Sequence, residues 1–244
     1  MDAARWPWDR PPVCLITGAA RGLGYAVAGR LAALGATVLL SARDAAAAEA
    51  AAAALRPGGD VRPLGIDVSS RASVDAAAQV VDDLDVLINN AAAYVDWGEV
   101  ASSADLAASR AVMETNLYGA WNMAQAFLPV LKAGPHPRVV NVASGAGSHG
   151  DTTFGLAARG GAAASYGISK AALLALTATL AAELSGTRVM VNAVDPDLTA
   201  TWPGAEAMGA RPVGESVAGV VWAATLPDDG PRGGFFRDGR PHPW

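Results

Sequence analysis

Short apolar runs alternate with longer, alanine-rich stretches along the chain. The short runs are rich in Val, Ile and Leu and bounded by Gly, Pro, Asp or Asn, which predicts strands over residues 13–16, 36–40, 61–66, 86–88, 138–142, 189–193 and 234–236. The stretches between them predict helices over residues 23–34, 45–55, 70–83, 106–132, 166–185 and 214–226. Apolar strands that alternate with helices are typical of parallel sheets covered on both faces. The pattern therefore predicts a doubly wound α/β fold with a mostly parallel, seven-stranded sheet.

The length of 244 residues fits a single domain of this kind, spanning residues 1–244. Residues 1–12 precede the first strand as an N-terminal extension. Two stretches rich in Gly or Pro carry no helix or strand pattern, residues 149–164 and 195–211. Long irregular segments in a compact domain are usually binding loops or lids, so we predict that residues 195–211 form a substrate lid.

Charge and hydropathy exclude several classes of function. The net charge is −5 and the basic residues are scattered, which argues against a nucleic-acid partner. The longest apolar stretch, residues 171–184, contains Thr177, Thr179 and Glu183 and is too short to span a bilayer, so we expect no membrane partner. Residues 1–12 lack the apolar core of a signal peptide, and we therefore expect a cytoplasmic protein.

The residues that commonly bind metals are isolated from one another in the sequence. Cys14 is the single cysteine, and it lies in a predicted strand, where it is a core residue more readily than a reactive thiol. The three histidines are far apart, with no Cys or carboxylate at ligand spacing. We expect no metal site.

A glycine-rich segment, Thr-Gly-Ala-Ala-Arg-Gly-Leu-Gly over residues 17–24, follows the first predicted strand and opens the first helix. Glycines at this place allow a tight turn and a close approach of the backbone to a pyrophosphate, which the helix N-terminus favours. We predict that this segment binds the phosphates of a dinucleotide.

The end of the second predicted strand indicates which dinucleotide is bound. Sites for NAD have an acidic residue here for the ribose hydroxyls, whereas sites for NADP have an arginine for the 2′-phosphate. The acidic position holds Ala42, Arg43 follows it, and Arg21 lies in the glycine-rich segment. These residues favour NADP(H). In the alternative, Asp44 contacts the ribose and the cofactor is NAD(H).

Four polar residues are candidates for chemistry. Tyr166 and Lys170 are four residues apart and therefore share a helix face, where the cation would favour the phenolate. Ser144 follows the fifth strand at the carboxyl edge, and Asn116 lies in an otherwise apolar helix. Ser165 is a rival to Ser144, although it lies on the helix beside Tyr166.

Together these residues resemble the short-chain dehydrogenase/reductase family, whose fold is the doubly wound (Rossmann) sheet. The resemblance covers nearly the whole chain, through residues 17–24, Asp67, Asn89-Asn90-Ala91, Asn116, Ser144, Tyr166-Gly167-Ile168-Ser169-Lys170, Asn192 and Pro196. It implies that Tyr166 gives a proton to a carbonyl oxygen, or accepts one in the oxidative direction. It also implies that Ser144 hydrogen-bonds that oxygen, that Lys170 binds the nicotinamide ribose and lowers the pKa of Tyr166, and that Asn116 holds a water in a proton relay.

The resemblance also assigns the remaining site residues. The implied cofactor contacts are Gly18, Arg21, Gly22, Leu23, Gly24, Arg43, Asp67, Val68, Asn89, Ala91, Tyr166, Lys170, Pro196 and Thr201. The expected substrate pocket is formed by Ser144, Tyr94, Tyr166 and Trp202, with Trp97, Met208 and residues 149–164 nearby. The chain departs from the family pattern at Ala92 and Asp197, where the family has glycine, and by about nine extra residues between Ser144 and Tyr166.

We interpret the sequence as an NADPH-dependent reductase of a small to medium organic carbonyl, acting as a homodimer or homotetramer. Two alternatives remain open. The same site would serve a secondary-alcohol dehydrogenase in the oxidative direction, and a protein that had lost catalysis would bind NADP(H) without turnover.

Overall fold

A computed structural model describes residues 6–244 and contains a single sheet of eight strands within them. The strands are β1 Val13–Ile16, β2 Thr37–Ala42, β3 Val61–Gly65, β4 Val86–Asn89, β5 Arg138–Val142, β6 Met190–Val194, β7 Phe235–Arg237 and β8 Arg240–Pro241. Their order across the sheet is β3-β2-β1-β4-β5-β6-β7-β8, and every pair is parallel except β7 with β8. The doubly wound, mostly parallel fold is confirmed, with all seven predicted strands present.

The eighth strand is an addition that the sequence analysis missed. β8 pairs with β7 through a two-residue turn, Asp238-Gly239, in which both residues have positive φ (54° and 73°). An Asp-Gly pair between strands is typical of such tight hairpins. The Asp-Gly dipeptide was therefore a sequence signal for β8.

Seven α-helices cover the sheet in the described part of the chain. They are α1 Gly22–Ala33, α2 Ala45–Leu55, α3 Arg71–Ala78, α4 Leu106–Met113, α5 Ala120–Ala133, α6 Ala164–Glu183 and α7 Val213–Ala224. α3 ends at Ala78, five residues earlier than predicted, before a stretch with three aspartates that do not favour a helix. The single helix predicted over residues 106–132 is also wrong, because a π-helical segment, Glu114–Gly119, separates α4 from α5.

The two faces of the sheet form separate apolar cores. α3, α5 and α6 pack on one face, and α1, α2 and α7 pack on the other. Among the described helices, α6 alone has the length and mean hydropathy of a membrane span, and 67% of its most apolar window is buried in the protein. All strands from β1 to β7 end at one edge of the sheet, where the candidate site lies.

The N-terminal extension contacts the opposite edge. Residues 1–5 lie outside the described residues, and the following residues pack near the starts of β1 and β4. The Trp6 indole N–H donates to the Leu34 carbonyl (3.0 Å), and Arg10 Nη2 lies 2.8 Å from Asp85 Oδ1. The extension is therefore remote from the carboxyl ends of the strands.

Several large apolar side chains remain exposed near α5 and α6. Tyr118, Trp121 and Ile168 belong to this group. The homodimer or homotetramer stays a prediction, for which these side chains are candidate contacts.

Candidate active site

The glycine-rich segment lies where β1 and β4 end side by side. A Cβ at Gly18, whose φ is +64°, would lie 2.8 Å from the Ala91 Cα. A Cβ at Gly24 would lie 2.4 Å from Asn90 Nδ2. Both distances are shorter than real contacts allow, so glycine is required for the loop after β1 to pack against the loop after β4.

Two residues to which the sequence analysis gave no role hold these loops together. The Thr17 hydroxyl accepts from the backbone N–H groups of Asn90 and Ala91, both at 3.0 Å. The Asn90 amide donates to the carbonyls of Thr17 (2.9 Å) and Gly18 (3.1 Å). A threonine that precedes the first glycine, and an asparagine after β4, were the sequence signals for this clamp.

The N-terminus of α1 fits an anionic group. Arg21 is the N-cap residue, its side chain caps no backbone N–H, and no acidic residue lies in the first turn. The N–H groups of Gly22, Leu23 and Gly24, in the first turn of α1, thus donate to no side chain in the described part of the chain. A diphosphate suits this position, because helix N-termini bind anions through such N–H groups.

Both candidate arginines for a 2′-phosphate are exposed beside this loop. Arg21 lies within it and Arg43 directly follows β2. A backbone hydrogen bond from Ala19 to Ser41 (2.8 Å) joins the two segments. The Asp44 carboxylate instead accepts from two N–H groups in the first turn of α2, at 2.9 and 3.3 Å. Asp44 therefore acts as the cap of α2, which weakens the NAD(H) alternative.

The predicted adenosine contacts differ in whether their side chains already have hydrogen-bond partners within the protein. The Asp67 carboxylate accepts from the turn that follows it, at 3.0 and 2.6 Å, and Val68 is buried. Ala91 lies against the glycine-rich loop. The Asn89 amide donates to Asn141 Oδ1 inside the sheet (2.9 Å), and Asn89 is buried. Its side chain is thus directed to the neighbouring strand, and only its backbone is left to line a nucleotide cleft.

Ser144 and Tyr166 are brought together by two glycines. Ser144 follows β5 and begins a short turn, and a Cβ at Gly147 in that turn would lie 2.6 Å from the Lys170 carbonyl carbon. A Cβ at Gly167 would lie 2.8 Å from the Ala146 carbonyl oxygen. Without side chains at these positions, the turn packs directly on the first turns of α6. The sequence left Ser144 and Ser165 as rivals, and Ser144 is the serine that interacts with the Tyr166 phenol.

The Tyr166 phenol is buried, with 7% of the residue exposed. Burial raises its pKa above the ordinary value, the nearby Tyr94 adds to this effect, and the hydrogen-bonding interaction with Ser144 opposes it. The resemblance implied that Lys170 lowers this pKa. In the structure burial dominates, so the phenol holds its proton at neutral pH.

Lys170 is also buried. Its Nζ donates to the Val142 carbonyl (2.8 Å) and lies 5.7 Å from the centre of the Tyr166 ring. Burial lowers the pKa of Lys170 to about 8, while the negative charge of Asp195 opposes the shift. The ammonium group is therefore present at neutral pH, beside the phenol.

Asn116 lies in the π-helical segment, a feature that often marks functional positions. Its Oδ1 accepts from the Ala93 N–H (2.7 Å), and its Nδ2 donates to the Ala93 carbonyl (2.9 Å) and to the Ser169 hydroxyl (2.9 Å). Asn116 thus joins the loop after β4 to α6. The water that the resemblance implies at this residue stays a prediction.

Two aromatic side chains of the loop after β4 cover Tyr166. The Tyr94 ring is stacked on it with 5.3 Å between ring centres, and the Trp97 ring meets it edge-on at 5.5 Å. Tyr94 is 62% exposed, so it presents a ring face to solvent beside the candidate catalytic group. Among the aromatic contacts of residues 6–244, none joins Trp202 to this cluster.

Residues 195–211 reach from β6 to the glycine-rich loop. Arg211 Nε donates to the Pro196 carbonyl (3.0 Å), which closes the base of the segment. Thr201 lies over the loop, since its methyl group would be 3.5 Å from a Cβ at Gly22. This position brings the predicted contacts Pro196 and Thr201 to the same edge as the other predicted cofactor contacts, with Trp202 exposed beside them.

His242 lies among carboxylates that the sequence spacing did not reveal. Its Nε2 is 3.2 Å from Asp151 Oδ2 and 3.9 Å from Asp195 Oδ2. Carboxylates that lack ligand spacing in the sequence are thus brought to His242 by the fold, and Asp151, Asp195 and His242 lie close enough together to hold a metal ion. The expectation of no metal site stays a prediction. Arg237 donates to both carboxylates and supplies a positive charge between them.

Comparison with known proteins agrees with this geometry. Residues 12–208 match the family described as short chain dehydrogenase. The chain is 35% identical over 192 residues to a rhamnolipids biosynthesis 3-oxoacyl-[acyl-carrier-protein] reductase of Pseudomonas aeruginosa, covering 75% of this chain and 71% of the relative.

Two solved structures share the fold. The RhlG/NADP active-site complex of Pseudomonas aeruginosa has a TM-score of 0.82 at 31% identity and covers 98% of both chains. A 3-oxoacyl-[acyl-carrier protein] reductase of Brucella melitensis with bound NAD has a TM-score of 0.82 at 26% identity, covering 98% of this chain and 94% of the other.

The ordered glycine-rich loop, the buried tyrosine and lysine on one helix, and the family match over residues 12–208 all indicate the same class of oxidoreductase. The chain belongs to the short-chain dehydrogenase/reductase family.

Proposed function

We propose that this protein is an NADPH-dependent reductase of a small to medium organic carbonyl compound. The observation that carries the proposal is the buried Tyr166 phenol, whose pKa is raised by burial and which interacts with Ser144 at the edge of the sheet where the glycine-rich loop lies. A protonated phenol is suited to giving a proton, which is what carbonyl reduction requires.

The chain supplies orientation, polarisation and a proton. Bound NADPH would supply the hydride to the carbonyl carbon. The Ser144 hydroxyl donates a hydrogen bond to the carbonyl oxygen, and Tyr166 transfers its proton to the same oxygen as the alcohol forms. The Lys170 ammonium stabilises the resulting phenolate, because an opposite charge nearby favours the ionised form.

NADPH is favoured over NADH by the exposed pair Arg21 and Arg43 and by the engagement of Asp44 in capping α2. A charge-assisted contact to a 2′-phosphate contributes about 1.5–3 kcal/mol. Arg43→Ala should therefore weaken NADPH binding about tenfold or more and leave NADH binding nearly unchanged. Arg188→Ala, at another exposed arginine, is the control. Equal affinity of the unmodified protein for NADPH and NADH would contradict this cofactor preference.

The substrate pocket is proposed to include the exposed faces of Tyr94 and Trp97, beside Tyr166 and Ser144. Aromatic walls favour apolar or ring-bearing groups. Since the similar proteins include 3-oxoacyl reductases, 3-oxoacyl thioesters are one class to test, with aryl ketones, aliphatic ketones and aldehydes as the others.

The decisive experiment is a panel of these carbonyls with NADPH, followed by the loss of NADPH absorbance. Tyr166→Phe, which keeps the ring and removes the donor, should bind NADPH normally and lose nearly all turnover. The same panel of alcohols with NADP⁺ measures the oxidative direction. Normal turnover by a stably folded Tyr166→Phe would contradict the proposal.

A further inference from the structure

The catalytic helix α6 begins without a cap of its own. The residue before it, Ala163, has a left-handed backbone (φ 54°) and a side chain that cannot accept a hydrogen bond. The first N–H groups of a helix need acceptors from outside it. In α6 this first turn carries Tyr166, so the partners of these groups also determine where the phenol lies.

Glu99, in the loop after β4, supplies these acceptors. Its Oε2 accepts from the Ser165 N–H (2.8 Å), and its backbone carbonyl accepts from the Ala164 N–H (3.3 Å). Glu99 is half-buried, whereas Ser165 is buried. A carboxylate at this place also suits the positive end of the helix dipole.

The same loop carries the aromatic residues that cover Tyr166. Its other end is fixed at Ala93 through the two hydrogen bonds with Asn116. The loop from Ala93 to Glu99 is thus attached to the catalytic machinery at both ends, and the rings of Tyr94 and Trp97 rest on Tyr166 between these attachments.

We propose that Glu99 is a positioning residue, which fixes the aromatic wall of the substrate pocket at a set distance from the Tyr166 phenol. The inference rests on the proposed carbonyl reductase function. Loss of the Glu99 carboxylate hydrogen bond leaves only the longer backbone contact with Ala164 (3.3 Å) at this end of the loop, so the two rings hold a substrate less firmly against Tyr166. The cofactor side of the site is formed by the glycine-rich loop and by residues 89–91, which precede the attachment of Ala93 to Asn116, so it is unaffected.

Two conservative variants separate the hydrogen bond from the charge. Glu99→Gln keeps the length and an acceptor oxygen but removes the charge, whereas Glu99→Asp keeps the charge but is too short to reach the Ser165 N–H. We expect Glu99→Asp and Glu99→Ala to raise the KM for the carbonyl about 5- to 50-fold, since small misplacements of this kind are costly. We expect Glu99→Gln to stay close to the unmodified protein. NADPH affinity should change less than about twofold in all three, because the cofactor side of the site is unaffected. The turnover number should also change little, because uniform loss of substrate binding raises KM alone.

Asp105→Ala is the matched control, because the Asp105 carboxylate caps α4 at 2.8 and 3.4 Å but makes no aromatic contact with Tyr166. Both alanine variants should lower Tm, and only Glu99→Ala should raise KM. An unchanged KM in folded Glu99→Ala, or a Glu99→Gln as impaired as Glu99→Ala, would overturn the proposal.

Hydrogen–deuterium exchange tests the attachment without any substrate. Peptides that cover residues 93–100 and 164–168 should exchange about tenfold faster in Glu99→Asp and Glu99→Ala than in Glu99→Gln. Equal exchange in the three variants would also overturn the inference. If the unmodified protein reduces no carbonyl, the proposed function fails, and this exchange pattern still decides whether Glu99 fixes the loop.

Discussion

Tyr166 is surrounded by groups that oppose ionisation of its phenol. The residue is buried, Tyr94 is stacked on its ring, and the negative charge of Asp195 adds to the upward shift of its pKa. Ser144 provides the opposing hydrogen bond. Because the raised pKa keeps the phenol protonated at neutral pH, the form that gives a proton is abundant and the form that accepts one is scarce. The two directions of the reaction should therefore respond differently to pH.

We predict that the turnover number for carbonyl reduction is nearly constant between pH 5 and pH 7, where Lys170, whose pKa is lowered to about 8, keeps its proton. The raised pKa of Tyr166 leaves the phenol protonated throughout this range. Oxidation needs the phenolate. At pH values below the pKa of Tyr166, the small fraction of phenolate increases about tenfold for each unit by which the pH is raised. The oxidative turnover should therefore rise steeply over the same range. Steady-state rates in both directions check this, and a reductive rate that falls with a midpoint near pH 7 would contradict it.

The sequence singled out candidate site residues that the structure places at one edge of the sheet, but it did not indicate their hydrogen-bond partners. Local spacing places Tyr166 and Lys170 on one helix face and Ser144 at the end of a strand, whereas their roles come from the family resemblance. The clamp of Thr17 to Asn90 joins residues 73 positions apart, and the direction of the Asn89 side chain depends on the neighbouring strand β5. Such contacts depend on how separate elements pack, which local pattern does not contain.

At the scale of elements, backbone conformation is unusual where loops lead into the site. Asp197, just after β6, has φ +60°, and its carboxylate accepts from the Leu198 N–H (2.8 Å). The family's glycine fits such a conformation freely, and aspartate tolerates it better than most residues because it makes local hydrogen bonds. The departure from the family pattern at this position is thus compatible with the same turn.

We predict that Asp197→Gly changes the free energy of unfolding by less than about 1 kcal/mol, while Asp197→Val lowers it by about 1–3 kcal/mol. A β-branched side chain is strained in the left-handed region, whereas glycine is not. Urea denaturation followed by circular dichroism measures both changes. Equal stability of the valine and glycine variants would show that the turn relaxes out of this conformation.

Helix and strand periodicity predicted most of the helices and strands, but it did not predict where a π-helical segment interrupts a helix. The π-helical segment keeps the apolar pattern of a continuous helix, so residues 106–132 gave no sign of it, although it contains Asn116. Gly119 ends the segment, and a Cβ there would lie 2.7 Å from Val68. The close packing of the segment on the loop after β3 is a tertiary requirement, which explains why sequence periodicity missed it.

At the scale of the whole molecule, one buried charged cluster joins segments from four parts of the chain. It consists of Asp151 in the irregular stretch of residues 149–164, Asp195 after β6, Arg237 in β7 and His242 after β8. A Cβ at Gly145, the residue after Ser144, would lie 2.6 Å from Asp151 Oδ2 and 2.7 Å from Arg237 Nη2. The cluster therefore supports the Ser144 turn from behind.

Arg237 compensates two carboxylates that have little access to water. Its Nε lies 2.8 Å from Asp195 Oδ2 and its Nη2 2.9 Å from Asp151 Oδ2, while Asp151 and Asp195 are buried. Burial raises the pKa of Asp151, but the backbone N–H groups of Phe154 and Thr153 and the Arg237 guanidinium lower it below the ordinary value overall. Because the folded-state pKa of Asp151 is lowered, its contribution to stability is present above the unfolded-state pKa and is lost as the pH falls through the folded-state value.

We predict that Arg237→Met lowers the free energy of unfolding at pH 7 by about 3–5 kcal/mol, since removing one partner leaves buried charges uncompensated. Without the guanidinium, the Asp151 carboxylate binds a proton at a higher pH than in the unmodified protein, because Arg237 contributes to lowering its pKa. The difference in stability between the two proteins should therefore shrink between pH 7 and pH 4.5. Arg240→Met, at an exposed arginine in the adjacent strand β8, is the matched control and should change stability by less than about 0.5 kcal/mol. Urea denaturation at both pH values checks the prediction, and a loss in Arg237→Met no larger than in Arg240→Met would mean that the cluster does not stabilise the fold.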